Sequence, residues 1–177
     1  KLFHNGFSTG HGFLREPNDI SSYSALACIA IQANQNDQHG GQSIPNFDYY
    51  MADGIRKTFA RRYRVNVGKA LELLCGFENG EETARSIADK ILEEKDLKPV
   101  LAFNNGYAEA EKEKLLSLGL DEKTAEHVQK FAFKEASRET DRATYQAMEA
   151  LVHNLNTMHS RAGAQVPFSS LNYGTDT

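Results

Sequence analysis

The run Asn156 to Thr177, N-T-M-H-S-R-A-G-A-Q-V-P-F-S-S-L-N-Y-G-T-D-T, constrains the fold most. It leaves the last turn of a helix, crosses a glycine-containing loop and enters a short strand rich in apolar and hydroxyl side chains. A strand cannot satisfy its own backbone N–H and C=O groups, so this one needs neighbours. A chain that stops just after it, and that opens on Lys1-Leu-Phe-His without an initiator Met or a leader pattern, reads as an internal fragment of a larger α/β body. By alternation, Val166, Phe168, Ser170 and Asn172 share one face of the strand, and Gln165, Ser169, Leu171 and Tyr173 the other. Polar groups on a strand of a buried sheet need partners. Gln165, Ser169, Ser170 and Asn172 are therefore candidates for lining a substrate site, with a strand-end hydrogen-bond network as the bland alternative.

Helical patterns dominate the rest. Lys1 to Pro17 is glycine-rich and reads as a loop with one short strand. Asn18-Asp19-Ile20-Ser21-Ser22 offers N-caps for a helix over about Ser21 to Asp37, which the pair Gly40-Gly41 closes. A second helix is expected from Asn46 or Phe47 to Arg64, with Ile55, Phe59 and Tyr63 on one side and Lys57, Arg61 and Arg64 on the other. Two shorter helices separated by Gly76 to Gly80 are expected over Val67 to Lys95. A charged helix follows over Ala108 to Leu118. The longest, from Asp121 to about His159, spans about 55 Å and carries Met148, Leu151, Val152, Leu155 and Met158 at helical spacing. Mean hydropathy is -0.55, which suits long helices with one buried stripe each. A length of 177 residues is compatible with one domain.

Composition excludes several classes. The net charge of -4 argues against nucleic-acid binding, and no apolar run approaches the roughly 20 residues a membrane helix needs. The two cysteines, Cys28 and Cys75, have no Cys or His at metal-ligand spacing, so no zinc site is read. Two free thiols fit a reducing cytoplasm. Cys28 sits among Ala27, Ile29, Ala30 and Ile31, surroundings that keep a thiol inert, and reads as packing. Gly40-Gly41 lacks the flanking pattern of a phosphate loop. No histidine has a carboxylate placed to form a catalytic pair, so no catalytic residue is assigned.

One cluster invites a ligand. Gln32, Asn34, Gln35, Asn36 and Gln38 put five amides on the second half of the first long helix, and amides can read a nucleobase edge or join helices at an interface. Lys57, Arg61 and Arg64 on the next helix could hold a phosphate. Gln32, Gln35, Gln38, Lys57, Arg61 and Arg64 are thus candidates for binding an anionic nucleotide. A solvated polar face is the alternative reading.

Three stretches carry a resemblance: His4-Asn-Gly-Phe-Ser-Thr-Gly, then Ser24-Ala-Leu-Ala-Cys-Ile-Ala-Ile-Gln-Ala-Asn-Gln-Asn-Asp-Gln-His-Gly-Gly-Gln-Ser-Ile-Pro, and the whole of Asn156 to Thr177. They resemble the anaerobic (class III) ribonucleoside-triphosphate reductases of the glycyl-radical superfamily; about Gly68 to Glu135 matches in helical character only. The resemblance implies part of a ten-stranded α/β barrel, incomplete here, with residues 1–177 forming one piece of the catalytic barrel domain. It implies a glycyl radical that oxidises a cysteine on a finger loop, an activase using an iron–sulfur cluster and S-adenosylmethionine, and zinc in a C-terminal region. It also implies ribonucleoside triphosphate substrates, deoxynucleotide effectors bound near a homodimer interface, and a cytoplasmic enzyme. Cys28 matches neither family cysteine. The expected chain is then inactive alone, carrying first barrel helices and effector-site helices. The competing reading is a non-catalytic helical module that dimerises through Gln32 to Gln38 and binds no nucleotide.

Overall fold

The computed structural model describes residues 7–8, 13–14, 16–37, 40–102, 104–157 and 168–174. Gln38, Met158 and Gln165 lie outside them. The chain divides into two compact units, Lys1–Lys57 with Arg142–Thr177, and Thr58–Asp141. Both are built mainly from helices, and the described residues form no closed barrel.

In the first unit, β1 (Phe7–Ser8) and β2 (Phe13–Leu14) pair antiparallel, so the glycine-rich segment holds two strands where one is expected. Helix α1 (Ile20–Asp37) starts where the caps predict: Asp19 Oδ1 accepts from both the backbone N–H and the hydroxyl of Ser22 at 2.8 Å. Its first half packs around most of its circumference. Ile20, Tyr23, Ala27 and Cys28 form a core with Phe47, Met51, Ala147 and Leu151. A Cβ added at Gly54 would lie 3.0 Å from the Tyr23 ring and 3.1 Å from the Ile20 backbone, so glycine is what lets these segments approach.

Strand β3 (Gln42–Ile44) was not expected from the sequence. Gly40 (φ 126°) releases the chain from α1, and Pro45 with Asn46 (φ 51°) turns it into the next helix. Three residues are too few for alternation to register. Strand β4 (Ser169–Leu171) pairs with β3 in parallel, Gln42 opposite Ser169, Ser43 opposite Ser170 and Ile44 opposite Leu171.

Helix α2 (Phe47–Cys75) is continuous for 29 residues and so joins the expected second helix to the first of the two shorter ones. Nothing between Arg64 and Val67 breaks a helix. Asn66 turns its amide onto Arg62 O (3.0 Å) and Glu139 Oε2 (3.2 Å).

The second unit packs the later part of α2 with α3 (Gly80–Lys95), α4 (Tyr107–Ser117) and the earlier part of α5 (Glu122–Thr157). Phe59, Tyr63, Val67, Leu71, Ile87, Ile91, Tyr107, Leu115 and Val128 are large apolar or aromatic side chains buried in its core. Ala125, Ala132 and Ala136 keep the α5 stripe narrow. A Cβ on Gly68 would lie 2.8 Å from Glu81 Cα, and one on Gly80 would strike the Gly68 carbonyl oxygen, so the two glycines permit a backbone-to-backbone approach of α2 and α3. On the later part of α5, in the first unit, Leu151 is buried and Met148 and Leu155 pack against the core. Val152, expected inside, is 56% exposed, because the buried stripe there is only wide enough for Ala147, Leu151 and their half-buried flanks.

Candidate functional site

The parallel β3–β4 pair turns Ile44 and Leu171 inward, with Gln42 and Ser169 on the same side, and leaves exposed Phe168 on the other side with Ser170. Ile44 and Leu171 pack against the first unit's core, as alternation requires of Leu171. The opposite face carries Ser43, Ser170 and Asn172, all exposed in the described residues. They are connected: the Ser170 hydroxyl donates to Asn172 Oδ1 at 3.0 Å, and Asn172 Nδ2 donates to Ser43 Oγ at 3.1 Å. Backbone bonds hold this rank rigidly. Gln42 N–H donates to Phe168 O (2.7 Å), Asn172 N–H to Ile44 O (3.1 Å) and Phe47 N–H to Asn172 O (2.9 Å).

Asp48, in the first turn of α2, closes the site's end. Its Oδ1 accepts the Gly174 N–H at 2.9 Å, and this bond above all holds its carboxyl below the usual range. Phe47 and Tyr173 meet edge to face with centroids 6.4 Å apart. The set of facing hydroxyls and an amide can donate to and accept from a polyhydroxylated ligand. Of the strand residues singled out from the sequence, Ser170 and Asn172 come together on this face. Ser169 lies on β4 opposite Gln42, and Gln165 is outside the described residues. Ser43 and Asp48 were missed; the signal for Ser43 was the short Q-S-I run between a glycine pair and a proline turn, and for Asp48 its place as an acidic residue in a helix's first turn.

The amide-rich half of α1 is partly structural. Asn34 Nδ2 donates to Oε1 of Gln42, which is buried at 6% exposure, and Gln42 Nε2 reaches Gly40 O at 3.4 Å. Gln32 and Gln35 are half-buried. Lys57 is engaged within the first unit: its Nζ donates to Glu16 Oε1 (2.6 Å), Tyr23 OH (3.1 Å) and Pro17 O (3.2 Å) and sits 5.3 Å from the Tyr23 ring centroid. Burial works to lower its pKa, but the bonds with Glu16 and Tyr23 outweigh that and hold it raised. Arg61, exposed, and Arg64, half-buried, belong to the second unit.

Cys28 is buried, its Sγ 4.0 Å from Leu151 O, and burial pushes the thiol pKa up against an opposing bond from Asn154. Among the described residues no group of three His, Cys, Asp or Glu side chains could hold a metal ion, and no helix is long and apolar enough to cross a membrane.

Fold and site together define a helix-rich α/β protein whose parallel strands present a rank of hydrogen-bonding side chains. The chain belongs to the anaerobic ribonucleoside-triphosphate reductase family, whose model matches residues 1–177, its whole length. That family comprises oxidoreductases of deoxyribonucleotide synthesis acting on ribonucleoside triphosphates. No curated protein matches the chain.

Proposed function

We propose that this chain serves anaerobic ribonucleoside-triphosphate reduction as part of the α/β barrel, with the β3–β4 polar face turned to the substrate. The observation that carries the reading is the division of faces: Ile44 and Leu171 anchored in the helical core, and Ser43, Ser170 and Asn172 left outward as a connected hydrogen-bonding set. A sugar with vicinal hydroxyls matches such a set, since each hydroxyl both donates and accepts. The family match supplies the reaction class. Radical chemistry, in this reading, comes from the glycyl radical and its iron–sulfur, S-adenosylmethionine-dependent activase, with the reductase working as a homodimer in the cytoplasm. Zinc, in this reading, belongs to a C-terminal region of the reductase, and no ligand for it is proposed on this chain. Cys28 has no part in the chemistry, since its burial raises the thiol pKa. The 177-residue chain alone is expected to turn over no substrate.

The test is nucleotide titration of the chain by calorimetry and NMR. Ribonucleoside triphosphates should shift the Ser43, Ser170 and Asn172 resonances, and Asn172→Ala should weaken the response. Shifts confined elsewhere, with Asn172→Ala binding normally, would overturn it.

Effector binding is the second part of the reading. Gln32 and Gln35 on α1, with Gln38 outside the described residues, are the proposed effector contacts of the first unit; Arg61 and Arg64 are proposed phosphate contacts of the second, taken by itself. Titration with dATP, dGTP and dTTP tests this, and silence with all three favours the non-catalytic dimerisation module.

A further inference from the structure

The second unit buries a carboxyl group that the proposed function does not use. Glu111 on α4 is 2% exposed. Its Oε2 accepts from Tyr63 OH on α2 at 2.6 Å and from Gln129 Nε2 on α5 at 3.1 Å, and the Tyr107 hydroxyl, one turn earlier on α4, bonds to it as well. All three donors are neutral. Among the described residues no Lys or Arg forms an ion pair with Glu111, and no charged neighbour offsets its burial. The charged groups around the cluster are more distant: Arg64 on α2 and Asp89 on α3 act on Tyr107, in opposite directions. A buried carboxylate without a cation is costly to ionise, whereas its neutral form both donates and accepts within such a ring.

The same contacts dock α4. Glu111 and Tyr107 face α2 and α5 from α4, and Gln129 Nε2 also donates to Ala108 O at 2.8 Å. Gln129 and Ala108 line an open cavity of about 320 Å³ with Glu126, Lys130 and Phe133. Water therefore has a place to enter beside the one side chain that links the carboxyl group to α5.

We propose that Glu111 is a proton-controlled latch for α4: protonated, it sits inside the Tyr63–Tyr107–Gln129 ring without an uncompensated charge and holds α4 against α2 and α5; ionised, its burial without a cation outweighs those hydrogen bonds and weakens the docking. Burial, the dominant effect, pushes the Glu111 pKa up to about 7 from 4.5, against hydrogen bonds that pull it down. The sign follows from linkage. A carboxyl group whose folded pKa is raised favours the folded form below its unfolded value, and that advantage drains away as pH rises to the folded value. The latch thus weakens through the slightly acidic to neutral range and is weakest above it.

Hydrogen exchange of the α4 amides in the full chain, corrected for intrinsic exchange, tests this between about pH 5.5 and about pH 8.5. Protection of α4 should fall by up to ~30-fold over that range as the Glu111 penalty develops, and Glu111→Gln should abolish the fall. The six histidines contribute equally to both proteins, so the difference isolates Glu111. The Glu111 side-chain carboxyl carbon, followed by NMR in the unmodified chain, gives a second readout that does not depend on the variant folding. A titration midpoint near 7 supports the latch. A midpoint near the ordinary glutamate value, or an unchanged slope in Glu111→Gln, overturns it.

Discussion

Asn172 Nδ2 reaches Ser43 Oγ at 3.1 Å, joining side chains 129 positions apart in the sequence. The backbone of Asn172 is bonded independently, through its N–H to Ile44 and its C=O from Phe47. Asn172→Ala therefore removes the side-chain link and leaves the strand pairing. Thermal unfolding should show a loss of about 0.5–1.5 kcal/mol. In the reductase containing this chain, kcat/KM should fall about tenfold, the equivalent of one hydrogen bond to substrate. Loss of stability with unchanged kcat/KM would show that the network serves only the strand.

The Asp48–Gly174 bond predicts an acid-sensitive strand end. The folded pKa of Asp48 lies below its ordinary 3.8, mainly because the Gly174 N–H stabilises the ionised form. Its contribution is present above 3.8 and is lost as pH falls through the depressed folded value. The Gly174 amide proton shift should follow that titration, and in Asp48→Asn it should stay flat.

Two glycines set how closely helices approach. Gly54→Ala drives a methyl group against the Tyr23 ring and the Ile20 backbone, and Gly80→Ala drives one against the Gly68 carbonyl. Each should cost about 1–3 kcal/mol of stability, read from urea unfolding midpoints. Gly80→Ala has less room to relax, because its nearest neighbour is the Gly68 backbone oxygen and the overlap there is deeper than at Gly54.

The thiols should separate by accessibility. Cys28 is buried and Cys75 half-buried, and burial is the main cause raising both pKa values. Alkylation at neutral pH should mark Cys75 first. Cys28 should react roughly a hundredfold faster after unfolding in urea than in the folded chain, since it is reached through opening. Equal native rates would show that α1 does not stay docked.

Tyr63→Phe removes one donor that favours ionised Glu111. The carboxyl midpoint should move upward, and the range over which α4 loses protection should move with it. A downward shift would show that Tyr63 acts mainly through burial.

The start of α1 was legible because capping is local: Asp19 and Ser22 are three residues apart. That Ser170 and Asn172 share a face of the β4 segment was legible because side chains alternate along a strand, whatever it pairs with. The inner face of α4 was legible in principle, since Tyr107, Ala110, Glu111 and Leu115 follow helical spacing. A glutamate on that face reads as solvent-facing until Tyr63 and Gln129, distant in sequence, are seen to surround it. Lys57 likewise looked available from its helix alone, and its engagement depends on Glu16 and Tyr23 arriving from another segment.

Sequence by itself determined most helical segments, the N-cap of α1 and which β4 side chains share a face, because these follow from interactions within a few residues. Tertiary structure alone decided that Gln42 to Ile44 is a strand, that α2 runs unbroken past Arg64, and that Glu111 is enclosed. A three-residue strand exists only through its parallel partner, and burial of a charge depends on which distant groups pack over it.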